Sequence, residues 1–124
     1  QELKDKFVAG QFADRTPMFV EQPFEVSIDG IVIRGRMDAV FRDESGWHIV
    51  DWKTGQLPSR ADMRYLMMQL AVYRIAWAQL QGIDPDEIHA SFYYVRYDKL
   101  SSADNLPSER EIAETLRLAA QPIE

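Results

Sequence analysis

The stretch IVIRGRMDAVFRDESGWHIVDWKTG, residues 31–55, holds two runs of extended character separated by a short polar turn. β-Branched and aromatic residues recur from Ile31 to Arg42 and again from Trp47 to Lys53, while Asp43-Glu44-Ser45-Gly46 is rich in turn-forming residues. The stretch therefore reads as two strands that pair through the turn. Side chains alternate across a strand, so Arg34, Arg36 and Asp38 are expected on one face and Ile33, Met37 and Phe41 on the other. On the following strand Asp51 and Lys53 share a face with Ile49, their Cα atoms separated by about 6.5 Å. His48, Val50 and Trp52 take the opposite side, which is expected to pack under a helix. Pairing of the two strands lets Asp38 and Asp51 converge on one point.

Working outward, Asp29-Gly30 is a hairpin dipeptide, and it joins Ile31 to an earlier strand running from Met18 to Ile28. Beyond Lys53 comes a loop with Gly55 and Pro58. Asp62 is then expected to cap a helix reaching about Gln81, with Met63, Leu66, Met67, Leu70, Tyr73 and Trp77 at helical spacing and Gly82 as the stop. Ile88 to Tyr97 predicts a fourth strand, and Ser108 to Ala120 a last helix whose Ser108 and Glu111 form a capping box. Upstream, Glu2 to Ala9 predicts a short helix closed by Gly10. Strand, strand, strand, helix, strand, helix implies an α/β domain: a mixed sheet flanked by helices, with the long helix crossing over before the fourth strand.

Composition narrows the chemistry. The 124 residues suit a single domain, and 46% hydrophobic with 27% charged residues is the balance of a globular chain. No run approaches the roughly 18 apolar residues that span a bilayer, and the start QELKDKFVAG lacks a signal-like apolar stretch. A cytoplasmic protein with no membrane partner is expected. The absence of cysteine excludes disulfides and thiolate ligands, so any metal is held by oxygen or histidine. A formal charge of -6 speaks against a dedicated nucleic-acid-binding module, although a divalent-metal site itself needs carboxylates.

Two converging carboxylates suit a hard cation such as Mg2+ or Mn2+, which keeps several waters for substrate and nucleophile. Such a cation can polarise a phosphodiester and activate water, and Lys53 beside it would stabilise the charge that builds in the transition state. An aspartate and a lysine two residues apart on a strand are, taken alone, most often an exposed ion pair. Arg34 and Arg36 are better matched to Glu25 and Glu21 than to a phosphate, and His48 and His89 have no partner at metal spacing. Trp47, Trp52, Trp77, Tyr93 and Tyr94 read as core side chains.

The combination is more specific than its parts. Gly35-Arg36-Met37-Asp38-Ala39-Val40, Ile49-Val50-Asp51-Trp52-Lys53-Thr54-Gly55 and Gln69-Leu70-Ala71-Val72-Tyr73 resemble, in order and setting, three consecutive motifs of RecB-family nucleases in the PD-(D/E)XK superfamily. The resemblance runs from about Glu21 to Tyr97 and implies a restriction-endonuclease-like core. It implies that Asp38, Asp51 and Lys53 are catalytic, that Asp38, Asp51 and the carbonyl of Trp52 bind Mg2+ or Mn2+, and that Gln69 and Tyr73 position the site or the DNA. Glu21 falls where many members carry a glutamate, and its part is open between pairing with Arg36 and supporting the site. Members usually add a histidine or glutamate from an upstream helix, and no histidine precedes Glu21. Residues 1–124 are therefore expected to form one nuclease domain, a C-terminal piece of a larger ATP-dependent helicase-nuclease of recombination or repair that lacks this helix. A non-catalytic nuclease-like module that binds DNA or a partner domain is the competing reading.

Overall fold

The computed structural model describes residues 2–102 and 106–120. Its elements follow one another as α1 (Glu2–Ala9), β1 (Phe19–Ile28), β2 (Ile31–Asp43), β3 (Gly46–Lys53), α2 (Arg60–Gln81), β4 (Ile88–Tyr94), β5 (Lys99–Ser102) and α3 (Glu109–Ala120). The five strands form one sheet in chain order. β1, β2 and β3 meander antiparallel, α2 carries the chain over to β4 parallel to β3, and β5 returns antiparallel along β4. This is the mixed α/β architecture expected of a restriction-endonuclease-like core.

Local chemistry explains most of the boundaries. Asp29 and Gly30 both adopt positive φ, 49° and 80°, as a two-residue hairpin turn with the right twist requires. The α2 cap is Ser59 and not Asp62: the Ser59 hydroxyl accepts from the Asp62 amide, and Asp62 occupies the first turn, where its negative charge meets the helix dipole. Gly82 closes the helix at φ 68°, and its amide returns to the Ala78 carbonyl. At α3 the expected capping box forms, with Glu111 N 3.2 Å from Ser108 Oγ and Ser108 N 3.4 Å from Glu111 Oε1. The fourth strand stops at Tyr94, short of the expected Tyr97. Val95–Tyr97 is a single 3-10 turn ending in left-handed Asp98, which reverses the chain into β5, an edge strand the sequence reading missed.

Two apolar clusters close the sheet. One face carries Phe24, Val26, Ile28, Met37, Val40, Trp47, Ile49 and Phe92 and is covered by α2 and by Ile112 and Ala113 of α3. On the other, Ala39, Phe41, Val50, Tyr93 and Val95 enclose Phe12, with Trp52 packed alongside. The side of Val50 and Trp52 thus lies under the turn that follows α1, and α2 covers the side of Ile49. Full burial of each large side chain contributes roughly 1.5–3 kcal/mol. Trp77, Tyr93, Phe12, Met37 and Leu70 anchor the fold.

Strict alternation fails at one place. Met37 faces α2 whereas Ala39 and Phe41 face Phe12, so β2 changes sides between Met37 and Ala39. The same happens on β1, where Phe24 faces α2 and Phe19 packs on Trp47 and Trp77. Between them lies Glu21 at φ 50°, absent from the ladder although Val20↔Ala39 and Gln22↔Met37 pair on either side. A non-glycine residue held there costs roughly 1–2 kcal/mol. The local turn removes Asp38 from the face of Arg34 and Arg36, contrary to expectation, and brings it to the α2 side.

Gly35 supports this corner by what it lacks. Its partner across the ladder is Phe24, and a Cβ built on Gly35 would lie 2.8 Å from the Phe24 ring. Phe24 in turn meets Tyr73 edge-on, with centroids 5.7 Å apart. Gly35→Ala is expected to push the ring off the sheet and destabilise the protein by about 1–3 kcal/mol. Gly55→Ala, where an added Cβ meets nothing within 4 Å, should stay within about 0.5 kcal/mol of the parent. Denaturant melts of the two variants check the contrast.

Candidate active site

Three elements place the polar residues. Asp51 and Lys53 end β3 on the side covered by α2, and Asp51 is only 7% exposed. Lys53 Nζ lies 3.0 Å from Asp51 Oδ2 and 4.8 Å from the centre of the Phe92 ring. The β2–β3 ladder ends at Ala39↔Val50, so the Trp52 amide has no β2 carbonyl to meet; the Asp38 carboxylate takes that role, with Oδ2 3.0 Å from Trp52 N. A side chain thus replaces a backbone acceptor where the strands part. Asp38 and Asp51 would be the next pair in that register, and their carboxyl groups lie against each other.

The electrostatics follow from this crowding. Burial first, and then the neighbouring Asp38, push the Asp51 carboxyl up to about 7, against the opposing pull of Lys53. One lysine does not neutralise two carboxylates at this depth. Tyr73, from α2, lies in the same field: burial and Asp51 raise its phenol to about 12, while Gln69 and Asp38 act more weakly in opposite directions. Its oxygen accepts from Gln69 Nε2 at 2.7 Å, which leaves the phenol proton free for another acceptor. Tyr94 stands opposite Lys53 in the parallel ladder, and its buried hydroxyl has no hydrogen-bond partner in the structure described. The sequence reading placed Tyr94 correctly in the core but had no means of seeing its orphan oxygen.

The loop after Lys53 is tied down from the far end of β4. Arg96 Nε donates to the Thr54 carbonyl at 3.0 Å, and the Tyr97 hydroxyl donates to Gln56 Oε1. Between this loop and the start of α2 opens a recess of about 460 Å³ lined by Lys53, Gly55, Gln56, Leu57, Tyr65 and Tyr94. Glu21 stays outside the cluster: it is exposed and lies 3.7 Å from Arg36 Nη1, the pairing the sequence suggested, while Arg34 Nε meets Glu25 at 2.5 Å. His48 is turned away, bonded to Ser91 Oγ at 2.9 Å, and burial together with nearby Arg15 depresses its pKa to about 4.

Among the described residues no third histidine or carboxylate joins Asp38 and Asp51. Two carboxylates, with the adjacent backbone carbonyls as further oxygen donors, nevertheless fit a hard divalent cation, which is commonly held by one or two carboxylates and completed by water and substrate. The raised Asp51 pKa points the same way, because a pair short of positive charge is the pair a cation relieves.

The titration has a consequence for stability. The Asp51 carboxyl moves from 3.8 to about 7 on folding, so the metal-free folded chain binds this proton more tightly than the unfolded chain. The resulting stabilisation is complete at acid pH and is lost as pH rises through the interval from about 4 to 7. Asp51→Asn should therefore melt above wild type at pH 8 in chelator, with the difference closing towards pH 4. A pH-independent difference in melting temperature would contradict the assignment.

Comparison with known proteins bears on the family and the fold. Residues 3–123 match the PD-(D/E)XK nuclease superfamily. The Gene 69 protein of Mycobacterium phage D29 is 37% identical over 71 residues, which is 57% of this chain and 24% of that protein. The crystal structure of SSO0001 superposes on 95% of this chain and 56% of its own, with a TM-score of 0.51 at 21% identity, a likeness of fold. The chain thus spans about a quarter of the phage relative and about half of the solved one. The match over nearly the whole chain shows that it belongs to the PD-(D/E)XK nuclease superfamily.

Proposed function

We propose that this domain is a Mg2+- or Mn2+-dependent deoxyribonuclease that hydrolyses phosphodiester bonds at the Asp38–Asp51–Lys53 cluster. The observation that carries the reading is Lys53 Nζ at 3.0 Å from Asp51 Oδ2, with Asp51 buried against Asp38. A metal held by Asp38, Asp51 and the Trp52 carbonyl would polarise the phosphate and lower the pKa of a water. Lys53 holds a non-bridging phosphate oxygen and orients the attacking water, a placement of charge that acts chiefly on the transition state. Asp38 is itself oriented by the Trp52 amide, so its free oxygen keeps a fixed direction. Gln69 fixes the Tyr73 oxygen, and Tyr73 borders the carboxylate pair.

The convergence of Asp38, Asp51 and Lys53 at the end of β3 supports the enzyme over a non-catalytic module. The finer reading is an exonuclease domain of a cytoplasmic helicase-nuclease in DNA recombination or repair. In it the ATP-driven regions deliver DNA and an upstream residue completes the metal shell. The charge of -6 supports such a division of labour, since this domain has little general attraction for phosphate.

Cleavage of labelled single-stranded and duplex DNA by the complete native polypeptide tests the site. Lys53→Ala and Asp51→Ala are each expected to lower the Mg2+-dependent rate by 10²-fold or more. Only Asp51→Ala should also abolish the rise in melting temperature that Mg2+ or Mn2+ produces. Wild-type rates in either variant would refute the assignment.

A further inference from the structure

On α2, Tyr73, Gln69 and Tyr65 follow one another at intervals of four residues and therefore share one side of the helix. Tyr73 borders the two carboxylates, and the row leads away from them towards the amino end of the helix. The two ends differ in character. From Leu70 to Ala78 the helix is buried on nearly every side, whereas its first turns stand clear of the sheet. Tyr65 is 73% exposed, the most exposed large hydrophobic side chain among the described residues. It is also the residue at which three recesses meet. One holds Gln69, Tyr73 and Arg34, the second holds Lys53 and Tyr94, and the third holds Arg64 and Met68.

We infer that Tyr65 is a base-stacking platform for an unpaired nucleotide next to the bond being cut, so that the site accepts a single strand in preference to an intact duplex. The inference rests on the nuclease reading above and adds a substrate contact to it. An aromatic ring stacks on any base that is free of its partner, and such contacts commonly combine with cations that follow the backbone. Here Lys53, Arg64 and Arg34 line the recesses on which Tyr65 borders. Two carboxylates border the same recesses, each at the amino end of its helix: Asp62 accepts from the Ser59 hydroxyl at 3.0 Å and Glu111 from that of Ser108 at 3.1 Å. Arg34 is paired with Glu25, and Lys53 with Asp51, whose charge a bound cation would draw off, so Lys53 and Arg64 are the principal phosphate contacts. Tyr65 stands eight residues from Tyr73, about 12 Å along the helix axis, within reach of a neighbouring nucleotide while the scissile phosphate lies at Lys53. A base inside a duplex has both faces occupied by its stacked neighbours and cannot use the ring.

The test separates binding from cutting in the complete native polypeptide. With Ca2+ in place of Mg2+, single-stranded oligonucleotides carrying 2-aminopurine at successive positions are titrated into wild type, Tyr65→Ala and Tyr65→Phe. One position should be quenched by wild type and by Tyr65→Phe but not by Tyr65→Ala. Affinity for that oligonucleotide should fall about tenfold in Tyr65→Ala, with duplex affinity and melting temperature unchanged. With Mg2+, an abasic residue at the same position should slow wild-type cleavage and add nothing to the defect of Tyr65→Ala. Equal quenching by all three proteins, or equal losses on single strand and duplex, would overturn the inference. Loss of cleavage through Lys53→Ala with no effect of Tyr65→Ala would sink the platform alone, whereas Tyr65-dependent binding with cleavage indifferent to Lys53→Ala would sink the catalytic reading alone.

Discussion

Asp51 is a carboxylate at 7% exposure beside a second carboxylate, with one lysine 3.0 Å away. Taking an acid out of water penalises its charged form, and a like charge alongside adds to the penalty, so the group ends with a pKa near 7. Such an arrangement is a local debit in stability, and the surrounding fold must be firm enough to hold it. That firmness comes from both apolar clusters, because Asp51 sits on β3, the central strand, directly after Ile49 facing α2 and Val50 facing Phe12. The site is strained electrostatically because it stands on the most constrained strand of the sheet.

The surroundings of the acids depend on a second constraint, the side change on β1 and β2. The register puts Asp38 opposite Asp51 on one face of the sheet; with regular alternation Arg34 and Arg36 would share that face, and the side change gives it to Met37 instead. Glu21 in the left-handed region and the end of the β2–β3 ladder after Ala39 are two aspects of one local distortion. The distortion is flanked by Phe24, whose ring reaches over Gly35 and meets Tyr73 edge-on. The glycine of the first motif and the tyrosine of the third are thereby linked through one ring. Gly35 makes room for Phe24, Phe24 sets Tyr73, and Tyr73 borders the acids that Asp38 helps to form.

This organisation was partly legible in the sequence. The resemblance to three family motifs singled out Asp38, Asp51, Lys53, Gln69 and Tyr73, local rules marked the Asp29-Gly30 hairpin and the Ser108–Glu111 box, and the order of elements implied the crossover. The side change could not be read, because a strand pattern assumes alternation and Glu21 carries no local preference for positive φ. β5 escaped for a related reason: it is four residues long, sits on the edge, and follows a turn at Asp98 whose left-handed backbone is tied by Tyr93 and Gln11. Those partners are distant or on another face of the chain. Ser59 was passed over in favour of Asp62 since both are good capping residues, and only the position of the first helical hydrogen bond, Met63 N to the Ser59 carbonyl, decides between them.

The acidic character of the whole chain and the chemistry of the cluster are compatible once distance is considered. At physiological ionic strength charges are screened beyond about 8 Å, so the sum of -6 governs how a polyanion approaches more than how it is held at contact. At the cluster itself the nearest cation is Lys53, and Arg64 and Arg34 line the neighbouring recesses. Several other arginines are paired with carboxylates, Arg117 with Asp29 and Arg110 with Glu114 among them, as Arg34 is with Glu25. A surface of this kind steers nucleic acid poorly but can grip a short segment once it arrives. The pattern fits the proposal that a strand is presented to this domain, with local cations at the cluster and little positive field beyond.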